Sequence, residues 1–178
     1  GQYIMGLQKI QQEAENDNVQ SMVKLGRIYL SGIGVDKNEK EAYKWFDKAS
    51  NLNNAEAKTY LAYMYLNGIV VKEDEKRALD FYFRASDLGD GIASYTLGQI
   101  YKKGLCGQGR NPNKAQEFFE KGAKQGNPGA KYEIIIPKAK EAFTLMDKPD
   151  AASLTKGNEM LNQIEPTLVE AANVGILP

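Results

Sequence analysis

The segment LGRIYLSGIGVDKNEKEAYKWFDKA, from Leu25 to Ala49, returns twice further along the chain. Its second copy, LAYMYLNGIVVKEDEKRALDFYFRA, extends from Leu61 to Ala85, 36 residues later. The third copy, LGQIYKKGLCGQGRNPNKAQEFFEKG, extends from Leu97 to Gly122 and carries one extra residue in its middle. Repetition with a period of roughly 20 to 50 residues is typical of proteins built from stacked supersecondary units. The sequence therefore predicts a repeat protein.

Each copy contains two helical patterns separated by a loop. Leu25, Gly26 and Tyr29 share one helical face, and Gly32 follows at a point where a residue that tolerates positive φ ends a helix. The second half of the copy has another apolar stripe, formed by Ala42, Trp45, Phe46 and Ala49. One unit is thus helix, loop, helix and turn.

A single helix pair of this kind buries too little apolar surface to be stable, so neighbouring pairs must stack. We expect an all-α fold, an α/α superhelical solenoid of helix-turn-helix repeats. The first helix of each pair is expected to line the concave wall, and the second helix the outside.

The chain is predicted to form a single repeat domain over residues 1–178. The expected divisions are an N-terminal capping helix, three repeats, and a degenerate repeat with a C-terminal cap: 1–17, 18–53, 54–89, 90–126 and 127–178. Apolar residues at helical spacing predict the capping helix, namely Ile4, Leu7, Ile10 and Ala14.

The last 52 residues depart from the pattern. Pro137 follows three isoleucines and predicts a kinked or broken helix that extends to about Met146. A turn over residues 147–150 and a last helix, bent at Pro166 and ending near Asn173, are expected to follow. This tail either caps the last repeat or offers a binding face of its own.

The motif Tyr29-x-x-Gly32-x-Gly34-Val35, followed by Lys40-x-Ala42-x-x-Trp45-Phe46-x-Lys48-Ala49, resembles the Sel-one-like repeat, a relative of the tetratricopeptide repeat. The resemblance covers roughly residues 18 to 126. The Gly-x-Gly-Val loop of the first copy is replaced by Gly-Ile-Val-Val and Gly-Leu-Cys-Gly in the other two. The family has no single shared partner.

The resemblance implies a non-enzymatic module for protein–protein interaction. An adaptor, a scaffold and an inhibitory binding protein, such as a bacterial immunity protein against a secreted toxin, all fit it. It also slightly favours the bacterial periplasm or secretion over the cytoplasm, although the natural N-terminus is expected to be missing from a chain that begins with Gly1. Neither the oligomeric state nor the partner follows from the sequence.

The resemblance further implies that a protein or peptide partner binds along the concave wall, at first-helix positions two before and two after the repeated leucine. Those positions and their neighbours toward the loops are Val23, Arg27, Leu30, Thr59, Tyr63, Leu66, Asn67, Tyr95, Gln99, Lys102, Lys103 and Tyr132. Tyrosine and arginine are enriched at the centres of protein interfaces. The alternative for any one tyrosine is packing between units.

The composition argues against most catalytic and metal chemistry. The chain has no histidine, so histidine-based triads and zinc sites with histidine ligands are excluded. Its one cysteine, Cys106, rules out an intramolecular disulfide, and the glycines of residues 104–109 lack the order of a phosphate-binding loop. We expect no enzymatic activity, no cofactor and no bound metal.

The 23 basic and 23 acidic residues leave no net charge to attract nucleic acid, and no apolar run is long enough to span a membrane. Two alternatives to protein binding remain. One is single-stranded RNA binding, which helical repeats support through stacking. The other is a regulatory fragment of a larger enzyme.

Overall fold

A computed structural model describes the backbone of residues 2–175 and the side chains of residues 5–175. The described part contains nine helices and no strand, which confirms the predicted all-α class. The helices are α1 Gln2–Glu15, α2 Val19–Ser31, α3 Glu39–Asn51, α4 Ala55–Asn67, α5 Glu75–Asp87, α6 Gly91–Lys103, α7 Pro112–Lys124, α8 Pro128–Met146 and α9 Ala151–Asn173. The predicted role of Ile4 lies outside the described side chains.

The helices fall into two compact units with a boundary between Ala93 and Ser94, inside α6. In the first unit, successive helices from α1 to α5 pack on one another in chain order. Its core includes Met22, Leu25, Phe46 and Leu61, whose side chains are fully buried. In the second unit, α8 packs against both α7 and α9.

An asparagine or aspartate side chain caps the N-terminus of almost every helix, a signal that the analysis of the sequence did not use. In α2, for example, the side chain of Asn18 accepts a hydrogen bond of 3.0 Å from the backbone N–H of Ser21. Such a cap satisfies one of the helix's unpaired donors and typically contributes about 1 kcal/mol. The capping residues are Asn18, Asn38, Asn54, Asp74, Asn111, Asn127 and Asp150.

The cap of each second helix also ties it to the preceding first helix. The backbone N–H of Asn38 donates to the carbonyl of Tyr29 at 2.8 Å, and the N–H of Asp74 donates to Tyr65 at 2.9 Å. In the third copy, Asn111 donates to Tyr101 at 2.9 Å. The extra residue of that copy is therefore absorbed in the loop before the cap, and the register between the two helices is preserved.

The turns after the second helices share one backbone conformation. Asn53, Gly89 and Gly126 all adopt positive φ there. Gly175 also adopts positive φ after α9, with φ of 75°.

Pro137 lies inside α8, and the helix continues through it to Met146. Of the two alternatives predicted for this segment, a broken helix is therefore wrong. A proline removes one backbone hydrogen bond, here the one that would reach the carbonyl of Glu133, while packing on α7 and α9 keeps the rest of the helix in place. Ile135 and Ala142, on either side of Pro137, are both buried.

Candidate partner-binding site

The first helices of the first unit, α2 and α4, present a mixed apolar and polar face. Tyr63 is 48% exposed, and Leu30 and Leu66 are half-buried beside more polar neighbours. Arg27 projects from α2 and pairs with Glu56 of α4 at 3.5 Å. Both side chains of that pair remain largely exposed, so the pair adds little to stability.

Asn67 lies at the loop end of the same face. Its side-chain amide donates to the carbonyl of Tyr63 at 2.8 Å, so the amide caps the end of its own helix. Asn67 is exposed. Asn67 can therefore accept a hydrogen bond from a partner without losing this internal bond.

Two of the residues predicted for the site, Val23 and Thr59, already make contacts within the protein. Val23 is only 2% exposed and belongs to the core cluster that also contains Ala14 of α1 and Ala57 of α4. Thr59 is half-buried and donates its hydroxyl to Asp90 at 2.6 Å. We therefore correct the prediction for Val23, whose side chain is not available to a partner.

In the second unit, three predicted residues join one polar network. The amide of Gln99 donates to the Tyr95 hydroxyl at 3.0 Å and to Glu133 at 2.9 Å. Lys102 donates to the other carboxylate oxygen of Glu133 at 2.7 Å. This arrangement fixes the rotamers of Tyr95, Gln99 and Lys102 before any partner arrives.

Glu133, the centre of this network, was missed in the analysis of the sequence. Its side chain is only 14% exposed, and both of its oxygens accept hydrogen bonds from α6. The available signal was an acidic residue directly before three isoleucines, at the start of a helix that otherwise looks apolar. A carboxylate in such a position needs a donor from a neighbouring helix.

The two remaining predicted residues differ in exposure. Lys103 is exposed at the end of α6, whereas Tyr132 is half-buried on α8. Next to Tyr132, Lys131 pairs with Glu170 of α9 at 3.1 Å, which ties the first turn of α8 to the last helix. Apart from Val23, the set stays a prediction.

Most aromatic residues at the repeat positions of Tyr29, Trp45 and Phe46 are buried. Trp45, Phe46, Tyr82 and Phe119 are less than a tenth exposed, and so are Tyr65 and Tyr101. Tyr29, Phe81 and Phe118 are half-buried. Phe81 stacks on Tyr65 at 5.7 Å, and Phe118 stacks on Tyr101 at 5.8 Å, so these rings cover the core aromatic residues from outside.

The pKa values of a buried lysine and a half-buried tyrosine are shifted. Burial, and to a smaller extent the nearby charge of Arg84, lowers the pKa of Lys58, whose ammonium donates to the carbonyl of Ser50 at 2.9 Å. Burial and a 3.0 Å hydrogen bond with the Tyr65 hydroxyl raise the pKa of Tyr43 well above its usual range. Both groups connect α3 to α4, so their environment is explained by helix packing.

Within residues 5–175, no three cysteine, aspartate or glutamate side chains come close enough together to hold a metal ion. None of the helices in residues 2–175 is both long and apolar enough to cross a membrane. What the described first-helix faces offer is a preformed surface of tyrosine, leucine, amide and charged groups.

Comparison with known families identifies the repeat. A model described as Sel1 repeat matches residues 19–54, 55–90 and 91–127, which together exceed half of the chain. The chain belongs to the Sel1 repeat family. Sel1 repeats form a protein-interaction fold and are generally non-enzymatic. The resemblance drawn from the Tyr29 to Ala49 motif is thereby confirmed.

Solved Sel1 structures share the fold. A Sel1 repeat protein from Oxalobacter formigenes is 34% identical, with a TM-score of 0.62 over 72% of this chain and 96% of that one. A protective antigen present in uropathogenic Escherichia coli strains, displaying an SLR fold, is 26% identical with a TM-score of 0.63. The latter match covers 90% of this chain but 34% of that protein, so this chain spans about a third of its length.

An immunity protein from Pseudomonas aeruginosa also matches, at 21% identity and a TM-score of 0.44 over 89% of this chain and 73% of that one. A likeness this distant carries no argument about function. No curated protein matches the chain.

Proposed function

We propose that this Sel1 repeat protein binds a segment of a partner protein on the exposed faces of its first helices, without catalysing a reaction. The residues proposed to contact the partner are Arg27, Leu30, Tyr63, Leu66 and Asn67 in the first unit, and Tyr95, Gln99, Lys102, Lys103 and Tyr132 in the second. Thr59 is proposed to border the first-unit residues of this set, and its bond to Asp90 holds it in place.

The proposal rests on the hydrogen bonds that hold polar side chains of these faces in fixed conformations. Glu133 holds Gln99 and Lys102, and Gln99 in turn bonds the Tyr95 hydroxyl, so a partner meets side chains that have already lost part of their conformational entropy. Tyr63 adds a large ring that is half exposed on the corresponding face of α4. Preorganised aromatic and amide groups of this kind favour binding because less entropy is lost on association.

The test is affinity capture from extract of the source cells with the intact chain and a face variant. The face variant carries Arg27→Ala, Tyr63→Ala, Tyr95→Ala and Gln99→Ala. A control variant carries Lys44→Ala, Lys76→Ala and Glu117→Ala, three exposed positions on second helices. Circular dichroism and thermal unfolding first establish that all three chains are folded to the same extent.

The expected result is a protein captured by the intact chain and by the control variant, and lost with the face variant. Affinity of the purified pair should fall by at least 1 kcal/mol for the face variant, the usual size of a hot-spot loss. Capture that survives in the face variant and fails in the control variant would move the site to the second helices and overturn the proposal.

The proposal covers an adaptor as well as an inhibitor, including an immunity protein that neutralises a secreted toxin. These roles differ in the partner and not in the surface. Once a partner is in hand, assay of its activity with and without the chain separates them, since an inhibitor abolishes that activity and an adaptor leaves it intact. We also propose a periplasmic or secreted location, which the family resemblance favours. Cell fractionation tests it.

A further inference from the structure

A second apolar surface lies in the first unit, in a groove between α1 and α2. It comprises two adjoining recesses of about 530 and 610 Å³ that share Ile10, Ile28 and Ile33 in their lining. Ile33 is 76% exposed, the highest value among the large apolar residues of the described chain. The groove borders the first-helix face at Arg27 and Leu30 but opens on the side of the capping helix.

The internal repeat shows how the residues corresponding to the groove lining are covered in later copies. Ile28 corresponds to Met64 and Ile100 in the next two copies, and those two side chains are 0% and 3% exposed. Ile10 corresponds to Phe46, which is 0% exposed. Ile10 and Ile28 therefore occupy positions that later copies cover almost completely, whereas the counterparts of Ile33, Ile69 and Leu105, stay partly exposed.

A first-type helix provides the cover at the corresponding place within the unit. The ring of Phe46 lies against α2 at Gly26, where an added Cβ would be 2.7 Å from the ring. The helix that covers Phe46 can approach so closely only because its residue at that point is small. A helix seated in the groove is expected to have a small residue opposite Ile10 in the same way.

The register also fixes one charge. Arg27 of α2 lies beside Tyr60 of α4, and in the repeat Tyr60 corresponds to Lys24 of α2. A helix bound in the groove would sit against α2 as α2 sits against α4. Its residue equivalent to Arg27 would then lie beside Lys24. Lys24 is exposed, lines the groove and forms no salt bridge with any carboxylate of residues 5–175.

We propose that the groove between α1 and α2 binds an amphipathic helix of a partner protein that has a small residue against Ile10 and a carboxylate facing Lys24. The apolar lining, the buried counterparts of Ile10 and Ile28, and the unpaired charge of Lys24 support this proposal. It does not depend on the first-helix face proposed above. Helix-in-groove recognition of this type rests on apolar anchors at helical spacing.

Two synthetic peptides test the proposal against the full chain. The first carries residues 18–32 with Arg27→Glu, and the second carries the same residues unchanged. Both have a fluorescent label and blocked termini, and binding is measured by anisotropy at low salt. The glutamate peptide should bind saturably and about fivefold more tightly than the arginine peptide, since it pairs with Lys24 where arginine repels it.

Chain variants locate the site. Ile33→Lys should abolish binding of the glutamate peptide without changing stability, because Ile33 is exposed. Lys24→Glu should reverse the peptide preference, and Leu52→Lys, at a remote side chain that is 50% exposed, should leave binding unchanged. These variants leave Tyr63 and Tyr95 intact, so the result is independent of the capture experiment.

Three outcomes overturn the proposal. No saturable binding of either peptide would show that the groove does not take a helix. Preference for the arginine peptide would show that the peptide displaces α2 and pairs with Glu56 instead. Self-association of the chain in sedimentation velocity that disappears in Ile33→Lys would assign the groove to a second copy of this chain.

Discussion

Val70, in the loop between α4 and α5, adopts φ of 67°, a region that β-branched residues rarely occupy. Its counterpart in the first copy is Gly34, which adopts nearly the same φ of 76° at no steric cost. The backbone of this loop is thus fixed by the fold, and the second copy accommodates it with an unfavourable residue. Strain of this kind typically amounts to about 1–3 kcal/mol.

We predict that Val70→Gly raises the free energy of unfolding by about 1 kcal/mol, because relief of strain exceeds the added entropy of glycine in the unfolded chain. Urea unfolding measures the change. Gly34→Val is the matched control and should lower stability by strain alone, since no atom lies within 4 Å of the added Cβ. Equal stability of all three chains would show that the loop relaxes without cost.

Tyr43 gives a pH-dependent prediction. The folded state raises its pKa above the usual 10.0, chiefly by burial and then by the hydrogen bond with Tyr65. Above pH 10.0 the unfolded chain loses this proton first, so stability falls as pH rises. Tyr43→Phe removes this contribution, and its unfolding free energy should fall less steeply with alkaline pH than that of the unaltered chain.

Chemical denaturation at a series of pH values from about 8 to about 11 measures the two slopes. Tyr60 contributes in the same direction, since burial raises its pKa as well, and therefore some alkaline slope remains in the variant. Parallel curves for the two chains would contradict the assignment of the shift to Tyr43.

At the scale of the helices, close contact between first and second helices depends on small residues. Gly26 of α2 faces Phe46, whose ring is fully buried and stacks on Tyr60 at 4.4 Å. Gly98 of α6 faces Phe119 in the same way. The aromatic residue cannot move aside, because the surrounding core is close-packed.

We predict opposite effects for one substitution at two glycines. Gly26→Ala should lower the free energy of unfolding by about 1–3 kcal/mol, because the new methyl group overlaps Phe46. Gly6→Ala, inside α1 with no atom within 4 Å of the added Cβ, should raise it by about 0.5–1 kcal/mol through helix propensity. Thermal unfolding of both variants measures the difference.

The double variant Gly26→Ala with Phe46→Leu tests the cause. If overlap with the ring is responsible, the alanine should cost less when leucine replaces Phe46 than it does beside the native phenylalanine. An unchanged cost in the double variant would show that the loss comes from somewhere else in α2.

At the scale of the whole molecule, charge decides which macromolecules the chain attracts. Its 23 basic and 23 acidic residues cancel, so no long-range field directs a polyanion toward it. Several cations of the first-helix faces are also paired locally, as Lys102 is with Glu133 and Arg27 is with Glu56. Phosphate contacts usually supply most of the affinity of a protein for nucleic acid.

We therefore predict no saturable binding of labelled single-stranded poly(U) at about 0.15 M salt, measured by anisotropy. The double variant Glu56→Lys with Glu133→Lys is the control. Its added positive charge should increase poly(U) binding. Tight poly(U) binding by the unaltered chain, weakening steeply with salt, would instead support the RNA-binding alternative.

Much of the fold could be predicted from the sequence because its signals are local. The helix pairs follow from apolar spacing around Leu25 and Trp45, and the turns follow from residues that tolerate positive φ, such as Gly32 and Asn53. The capping residues were equally local and were overlooked. The continuity of α8 through Pro137 was not predictable, since packing on α7 and α9 outweighs the local effect of proline.

The sequence by itself determined the repeat, the family and the face on which a partner is proposed to bind. Only the tertiary structure decided that Val23 belongs to the core, that Glu133 holds Gln99 and Lys102, and that Ile10, Ile28 and Ile33 meet in one groove. The reason is physical: helical periodicity acts over one or two turns and can be read along the chain. Burial, ion pairs and grooves depend on which side chains of separate helices approach one another, and that is settled only when the helices pack.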